Sequence, residues 1–295
     1  MKILIIGGTG MLGHKLIQVL SNEFEVFSTI RSDFSSFEKY DLMNPEKVFT
    51  NIDVEKFESI EKILKKIKPD FVINAVGVIK QLPTSKDVFT SLNINSIFPQ
   101  SLARIAKSYD FRLINISTDC VFNGKKGNYI EQDIADADDL YGKSKFLGEV
   151  YAKNCLTLRT SIIGRELSTE HSLIEWFLSN PGGIVKGFKN AIYSGFPTIV
   201  LGQIIANLIK NFPDLEGLFH ISSQPINKYD LLCLVKQQYD LDVEIIPFDD
   251  FYIDRTLDST KFRNLTGFKP LTWEEMITRM ANDPTPYEKW RNRTF

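Results

Sequence analysis

A short apolar segment, Lys2–Ile6, runs directly into Gly7-Gly8-Thr9-Gly10-Met11-Leu12-Gly13, and a helical repeat at Leu12, Leu16 and Leu20 follows. Glycines at 7, 10 and 13 between a strand and a helix constrain the fold more than any other feature of the chain. In that setting Gly7 permits a tight turn and Gly10 lets the main chain approach a phosphate. Gly13 lets the helix lie against the strand that precedes it. The unpaired N–H groups and the dipole at the start of such a helix favour an anion. A glycine-rich turn without a ligand has the same spacing, so the rest of the chain must decide between the two.

The N-terminal half keeps alternating between the two periods. Glu25–Ile30, Phe71–Ala75, Arg112–Ser117 and Leu156–Thr160 read as strands. Phe57, Ile60, Ile63, Leu64 and Ile67 share one helical face, and further helices are expected over about Ile94–Ser108 and Tyr141–Lys153. This alternation predicts right-handed βαβ units. The expected fold is α/β, a Rossmann-type doubly wound parallel sheet with a smaller C-terminal α/β substrate lobe. Residues 1–163 form the dinucleotide-binding part and 164–295 mainly the lobe, interleaved with the core, with later segments returning to the sheet. Past Gly164 the pattern loosens. Helices are expected at Leu173–Leu178, Ile199–Lys210, Lys228–Tyr239 and Trp273–Met280, with strands near Ala191–Ser194 and Leu218–Ser222. The polar end, Asn282–Phe295, reads as a frayed tail.

Composition narrows the classes. With 295 residues, 43% hydrophobic, the chain buries a core without disulfide or metal staples. Lys+Arg 35 against Asp+Glu 37 gives a net charge of -2, which provides no general attraction to nucleic acid or an anionic membrane. Cys120, Cys155 and Cys233 are far apart, form no CxxC and accompany only 3 His, which argues against zinc and suits a reducing compartment. Asp136, Asp138 and Asp139 read as a solvated loop rather than a Mg²⁺ site. No apolar run approaches membrane-spanning length, so a cytoplasmic protein without membrane insertion is expected.

The end of the second strand, Ser28-Thr29-Ile30-Arg31-Ser32, carries no acidic residue until Asp33. An acid there would hold the adenosine ribose hydroxyls and repel a 2′-phosphate. Arg31 and Ser32 instead offer a guanidinium fork and a hydroxyl to a 2′-phosphate, unless Arg31 is simply a solvated loop residue. NADPH is the expected cofactor and NADH the alternative.

Tyr141-Gly142-Lys143-Ser144-Lys145 places Tyr141 and Lys145 one helical turn apart on the same face. A phenol of pKa about 10 exchanges protons poorly at neutral pH, and a nearby ammonium favours its ionised form. The pair suits proton transfer to a carbonyl or alcohol oxygen. Alone, the spacing fits an exposed Tyr and Lys equally well. Upstream, Ser117-Thr118-Asp119 ends an expected parallel strand, at the carboxyl edge where open α/β sheets bind ligands. The Thr118 hydroxyl can hold the same oxygen as Tyr141.

Six segments together resemble the extended short-chain dehydrogenases/reductases, and among them the dTDP-4-dehydrorhamnose reductases and related nucleotide-sugar 4-ketoreductases. They are GGTGMLG at Gly7–Gly13, INAVG at Ile73–Gly77, STDCVFNGKKGNY at Ser117–Tyr129, LYGKSKFLGE at Leu140–Glu149, LRTSIIG at Leu158–Gly164 and LDSTKFRNLTGFKPLTWEE at Leu257–Glu275. The resemblance implies that Thr118, Tyr141 and Lys145 are catalytic, with Lys145 also holding the nicotinamide ribose. It assigns Gly7, Gly10, Met11, Leu12 and Gly13 to the pyrophosphate turn and Asp53 with Val54 to the adenine side. Asn74, Ala75 and Val76 fall at the cofactor-side strand end, where the family more often has Ala or Gly at the third position. Ser161, Ile162 and Ile163 fall beside the nicotinamide.

The implied substrate is a nucleotide-linked 4-keto-6-deoxyhexose for polysaccharide synthesis, reduced at C4. Departures from the rhamnose-type pattern occur at Val78-Ile79-Lys80-Gln81, at Arg165-Glu166 through Phe177 and at Gly195-Phe196-Pro197-Thr198. They resemble relatives from amino-sugar pathways, so a UDP-linked 2-acetamido-2,6-dideoxy-4-hexulose stands beside the dTDP-linked sugar. Lys80, Asp119, Arg165 and Trp176 are the candidate substrate contacts; Lys80, Arg165 and Trp176 are equally readable as structural or surface residues. An epimerase that returns the hydride and a non-catalytic NADP-binding regulatory subunit are the alternative functions. A monomer or homodimer is expected.

Overall fold

The short apolar runs that alternate with helices become the strands of one parallel sheet. The computed structural model describes residues 1–80 and 83–291; Gln81 and the end of the expected tail, 292–295, lie outside the described residues. The strands are, in chain order, β1 (Lys2–Ile6), β2 (Glu25–Thr29), β3 (Val48–Phe49), β4 (Phe71–Asn74), β5 (Arg112–Thr118), β6 (Cys155–Thr160), β7 (Ile162–Ile163), β8 (Ile184–Phe188), β9 (Ala191–Tyr193), β10 (Phe196–Pro197), β11 (Gly217–His220), β12 (Ile226–Asn227), β13 (Glu244–Phe248) and β14 (Ile253–Asp254). Seven form the main sheet in the order β11-β6-β5-β4-β1-β2-β3. All its pairings are parallel. The chain winds outward from β1 to β3, then returns to the other side of β1 as β4. That reversal opens a crevice at the carboxyl ends of β1 and β4, between Ile6 and Asn74, where this class of sheet binds ligands.

Alternation along β1 explains why both faces are covered. Ile3 and Ile5 pack with Leu16, Ile17, Leu201 and Ile205 on one side. Leu4 and Ile6 pack with Ile60, Leu64, Phe98 and Leu102 on the other. A strand buried on both faces reads as a continuous apolar run, which is how Ile3–Ile6 reads in sequence.

Three local expectations are corrected, and β3, unread in the sequence, is with two residues too short to show a period. The helix at Tyr141 spans Leu140–Leu147 and stops at Gly148, where a Cβ would lie 1.8 Å from the Asn95 carbonyl oxygen. The helix expected at Ile94–Ser108 is helix Val88–Leu92, a π turn over Asn93–Ile97 and helix Phe98–Ala106. Within that π turn Asn95 accepts from Val78 N at 2.9 Å and donates to the Ser144 hydroxyl at 3.1 Å, tying the β4 loop to the helix of Tyr141.

The third correction concerns the chain end. Residues up to Arg291 are docked rather than frayed. Buried Tyr287 meets His14, which stands immediately after Gly13. His14 Nδ1 lies 2.8 Å from the Gly10 carbonyl, which can only accept, so Nδ1 carries the proton and Nε2 accepts from the Tyr287 hydroxyl at 2.7 Å. Lys15 pairs with Asp283, both buried. An apolar, paired anchor of this kind offsets the entropy of ordering a chain end; the polar composition of 282–295 gives no hint of it.

Burial lowers His14 to about 4 and His220 to about 3, so both are neutral in the folded chain near pH 5. The unfolded chain binds protons on both near pH 6.5. Below that pH it gains protons that the folded chain refuses, so stability falls as pH drops from about 6.5 toward 4. The urea midpoint is expected to be lower at pH 5 than at pH 7, with a smaller drop in His14→Gln. A midpoint equal at both pH values would contradict the neutral, buried assignment.

Candidate active site

The crevice is built first by the glycine turn. Gly7 has φ +96°, a region that other residues rarely adopt, and its N–H donates to the Thr29 hydroxyl at 3.2 Å. A Cβ on Gly13 would lie 2.0 Å from the Gly7 carbonyl oxygen, so only glycine lets the helix Gly13–Leu20 approach β1 this closely. A Cβ on Gly10, by contrast, would meet no atom nearer than 3.4 Å, and Gly10 is exposed. The N–H groups of Met11 and Leu12 have no acceptor among the described residues. An exposed crest, free N–H groups and a helix start form a cradle that fits a diphosphate.

Around the cradle, Asn74 is buried, donates to Asn115 Oδ1 at 3.0 Å and accepts from Val76 N at 3.2 Å. This folds Ala75 and Val76 across the end of β4, and Val76 Cγ2 comes within 2.8 Å of the Cβ position of Gly7. Asp53 caps the turn that follows by accepting from Glu55 N at 3.1 Å, and Val54, like Phe49 and Val76, packs against the buried cluster that holds Leu4 and Ile6. Arg31 and Ser32 are exposed just beyond β2, where Ser32 shares a hydrogen bond with Ser36 and Asp33 accepts from Asn51. Ser161 to Ile163 follow β6, and β7 pairs with β10 of the lobe.

Opposite the cradle stand the groups at the end of β5. Thr118 accepts from Cys120 N at 3.1 Å and donates to Asp119 Oδ1 at 3.1 Å, which fixes its rotamer. The Tyr141 phenol is near enough to the Thr118 side chain for the threonine to oppose the rise in its pKa. Lys145 Nζ donates to the Ile116 carbonyl at 2.7 Å. Burial raises the Tyr141 pKa, helped by Cys120, Asp119 and Asp139 and opposed by Thr118, so Tyr141 is a protonated phenol here. Burial lowers Lys145 to about 8, and the Glu149 carboxylate opposes the fall. Glu149 is itself fixed by Arg159, with Nε–Oε1 at 2.6 Å, and by the Ser117 hydroxyl at 2.7 Å. Burial also pushes the Cys120 thiol up to about 12, so it is no nucleophile.

Among the four candidate substrate contacts, two fall here and two do not. Asp119 is buried against Thr118. Lys80 Nζ sits 5.6 Å from the Tyr141 ring centroid and pairs at 2.6 Å with Asp139, the N-cap of the Tyr141 helix. Asp139 is therefore not merely a solvated loop residue. Arg165 is corrected: it is buried between Glu175, 2.6 Å away, and Glu288, with its guanidinium 4.7 Å from the Tyr287 ring centroid. Its cation joins the segment after β7 to the last described helix, with Nε donating to Glu175 and Nη2 to Glu288. Trp176 points outward, 40% exposed, and no contact joins it to the catalytic groups among the described residues. The sequence reading missed Glu149, Lys228, Arg255 and Tyr193, whose surroundings only the tertiary fold assembles. No group of three or more His, Cys, Asp or Glu among the described residues could hold a metal ion, and no helix among them is long and apolar enough to cross a membrane.

Asp139 accepts from Gly142 N at 2.8 Å, so Asp139→Ala should cost about 1 kcal/mol. Asp139→Ser should retain most of that stability. Equal urea midpoints for wild type and Asp139→Ala would contradict the capping role.

Comparison with known proteins agrees with this architecture. The chain is 26% identical over 302 residues to a dTDP-4-dehydrorhamnose reductase of Aggregatibacter actinomycetemcomitans, covering 94% of this chain and 97% of that one. It is 25% identical over 331 residues to methionine adenosyltransferase 2 subunit beta of Mus musculus, covering 100% of this chain and 91% of the relative. The crystal structure of a Bacillus anthracis dTDP-4-dehydrorhamnose reductase in complex with NADP superposes with a TM-score of 0.78 at 20% identity, covering 96% of this chain and 99% of that one. The family model described as the RmlD substrate binding domain matches residues 1–285, and the chain belongs to that family.

Proposed function

We propose that the protein is an NADPH-dependent reductase of the 4-keto group of a nucleotide-linked 6-deoxyhexulose. The observation that carries this reading is the meeting of Thr118, Tyr141 and Lys145 at the end of β5, across the crevice from the phosphate cradle. Reductases of this substrate class among its relatives support it, one of them crystallised with NADP. Exposed Arg31 and Ser32, with no acid at the end of β2, favour NADPH over NADH. A dTDP-linked 4-dehydrorhamnose and a UDP-linked 2-acetamido-2,6-dideoxy-4-hexulose are the two substrates to compare. The setting proposed is cytoplasmic synthesis of a cell-surface polysaccharide precursor, by a monomer or homodimer.

Gly7 to Gly13 would hold the pyrophosphate, Arg31 and Ser32 the 2′-phosphate, Asp53 and Val54 the adenine side, and Asn74 to Val76 with Ser161 to Ile163 the nicotinamide half. When bound, the reduced nicotinamide supplies the hydride. Thr118 and Tyr141 hold the carbonyl oxygen from the protein side. The raised pKa keeps the Tyr141 proton in place until charge grows on that oxygen, and the proton then passes to it. Lys145, released from the Ile116 carbonyl, holds the nicotinamide ribose hydroxyls and offsets the phenolate with its ammonium. Lys80 adds a second cation near the ring of Tyr141.

A mouse relative named as a subunit of another enzyme keeps a regulatory reading in view, and the intact Thr118, Tyr141 and Lys145 favour turnover over it. Incubation with NADPH and UDP-, dTDP- and GDP-linked 4-keto-6-deoxyhexoses tests this directly. Net NADPH oxidation supports a reductase; conversion without net oxidation means an epimerase; silence with a stoichiometric protein partner means a regulatory subunit.

Tyr141→Phe should lower kcat by about 10²–10⁴-fold while leaving NADPH affinity nearly unchanged. Because the active Lys145 is the ammonium and burial lowers it to about 8, kcat/KM should fall as pH rises through about 8. Lys145→Arg, cationic throughout, should remove that limb from whatever activity remains; a wild-type profile flat to pH 10 would contradict the assignment. Gly10→Ala should keep its melting temperature yet lose NADPH affinity, whereas Gly13→Ala should unfold at lower temperature because of the Gly7 contact.

A further inference from the structure

The lobe sends two polar side chains toward the catalytic groups that the proposed chemistry leaves unused. Tyr193, at the end of β9, has a buried hydroxyl with no hydrogen-bond partner among the described residues. An unpaired buried hydroxyl is costly, and native chains keep one where a ligand completes it. Its ring rests 5.6 Å from that of Trp273. Gly195 makes room for it: a Cβ there would lie 2.1 Å from Tyr193 Oη and 2.3 Å from the Ser161 carbonyl oxygen. The hydroxyl therefore stands beside the stretch expected at the nicotinamide, and the Asp119 carboxylate is the charge that acts on it.

Tyr193 pairs across the β9–β12 ladder with Ile226, two residues before Lys228. Lys228 opens the helix Lys228–Gln238 and is half-buried. Its ammonium donates no hydrogen bond and forms no ion pair among the described residues. Burial lowers its pKa; Asp119, which follows the end of β5, opposes the fall, and Arg255 and Lys80 add to it. Lys80 is already paired with Asp139, and Arg255 Nε donates to the Phe122 carbonyl at 2.8 Å. Neither Lys228 nor Arg255 has a carboxylate partner within ion-pair distance among the described residues.

We propose that Tyr193 and Lys228 form the substrate-recognising half of the centre, Lys228 pairing with a phosphate oxygen of the nucleotide diphosphate and Tyr193 hydrogen-bonding an oxygen of the hexose. The identity of the ligand rests on the reductase reading above; the anion site itself does not. Lys228 follows β12 of the three-stranded sheet β12-β9-β14, whereas Met11 and Leu12 follow β1 of the main sheet, and the anion assigned to Lys228 is a second one beside the pyrophosphate. The proposal also explains why lobe and sheet are interleaved. β9, β10 and β12 carry Tyr193, Gly195 and Lys228 to the carboxyl edge of the main sheet, where Thr118 and Tyr141 end.

Calorimetric titration of the NADP-loaded protein with UDP, dTDP and GDP, alongside NADPH titration of the free protein, tests this. At least one diphosphate should bind, and Lys228→Met should weaken it by about tenfold or more, in line with the loss of a charge-assisted hydrogen bond. Lys228→Arg should stay within about threefold, and both variants should bind NADPH like wild type, which reports an intact fold. Tyr193→Phe should leave diphosphate affinity unchanged and raise KM for the 4-keto sugar nucleotide about tenfold, with kcat changed far less. Unchanged diphosphate binding in Lys228→Met, or failure of wild type to bind any of the three, overturns the anion site. An unchanged KM in Tyr193→Phe overturns the role of its hydroxyl. Lys228-dependent binding without turnover of any keto sugar sinks the reductase reading and leaves the anion site standing. Turnover with Lys228-independent binding does the reverse.

Discussion

The contact on which the rest depends is that between the glycine helix and the first strand. With a hydrogen in place of a side chain at Gly13, the helix settles against the Gly7 carbonyl, and the N–H groups of Met11 and Leu12 are left facing the crevice. That approach sets the distance from β1 to everything beyond it. β4 pairs with β1 through Asn74, β5 with β4 through Asn115, and the Asn74–Asn115 side-chain bond keeps the two strand ends level. Thr118 projects from the end of β5 only because this ladder stays in register. A methyl group at position 13 would therefore disturb the glycine turn and, through two strands, the end of β5 that carries Thr118.

A second constraint comes from the far end of the chain. Tyr287 donates to His14, and His14 donates to the carbonyl of Gly10, so the last described helix supports the glycine turn through one neutral imidazole. Arg165, held by Glu175 and Glu288, joins the stretch after β7 to the same helix. Burying these ions requires good pairing: Arg165 has both carboxylates and Glu175 also has Arg291, while Glu288 Oε2 is left without a hydrogen-bond partner among the described residues. The cofactor cradle and the C-terminal segment are consequently one packed unit.

What the sequence reveals and what it conceals follows from the range of each interaction. The glycine turn, the strand runs and the Tyr141–Lys145 spacing are local patterns with a period or a steric rule behind them, and the structure places them at one crevice. Val48–Phe49 is too short to carry a period, and the π turn at Asn93–Ile97 exists because Asn95 must reach both Val78 and Ser144. Arg165 resembled a substrate contact because an arginine after a strand end is ambiguous until its carboxylate partners, 10 and 123 residues away, are known. Tyr193 and Lys228 gave no signal at all: a lone tyrosine and a lone lysine in a loosely patterned lobe become notable only when the fold leaves one unsatisfied and the other uncompensated beside Asp119.

The central claim is that this geometry delivers a hydride and a proton to one carbonyl. The most direct test is to supply NADPH deuterated at the transferring C4 position together with a nucleotide-linked 4-keto-6-deoxyhexose, and to analyse the sugar by mass spectrometry and NMR. One deuterium at sugar C4 per NADPH oxidised is expected, and its loss in Tyr141→Phe. A product free of deuterium, or one formed at the same rate by Tyr141→Phe, would contradict it.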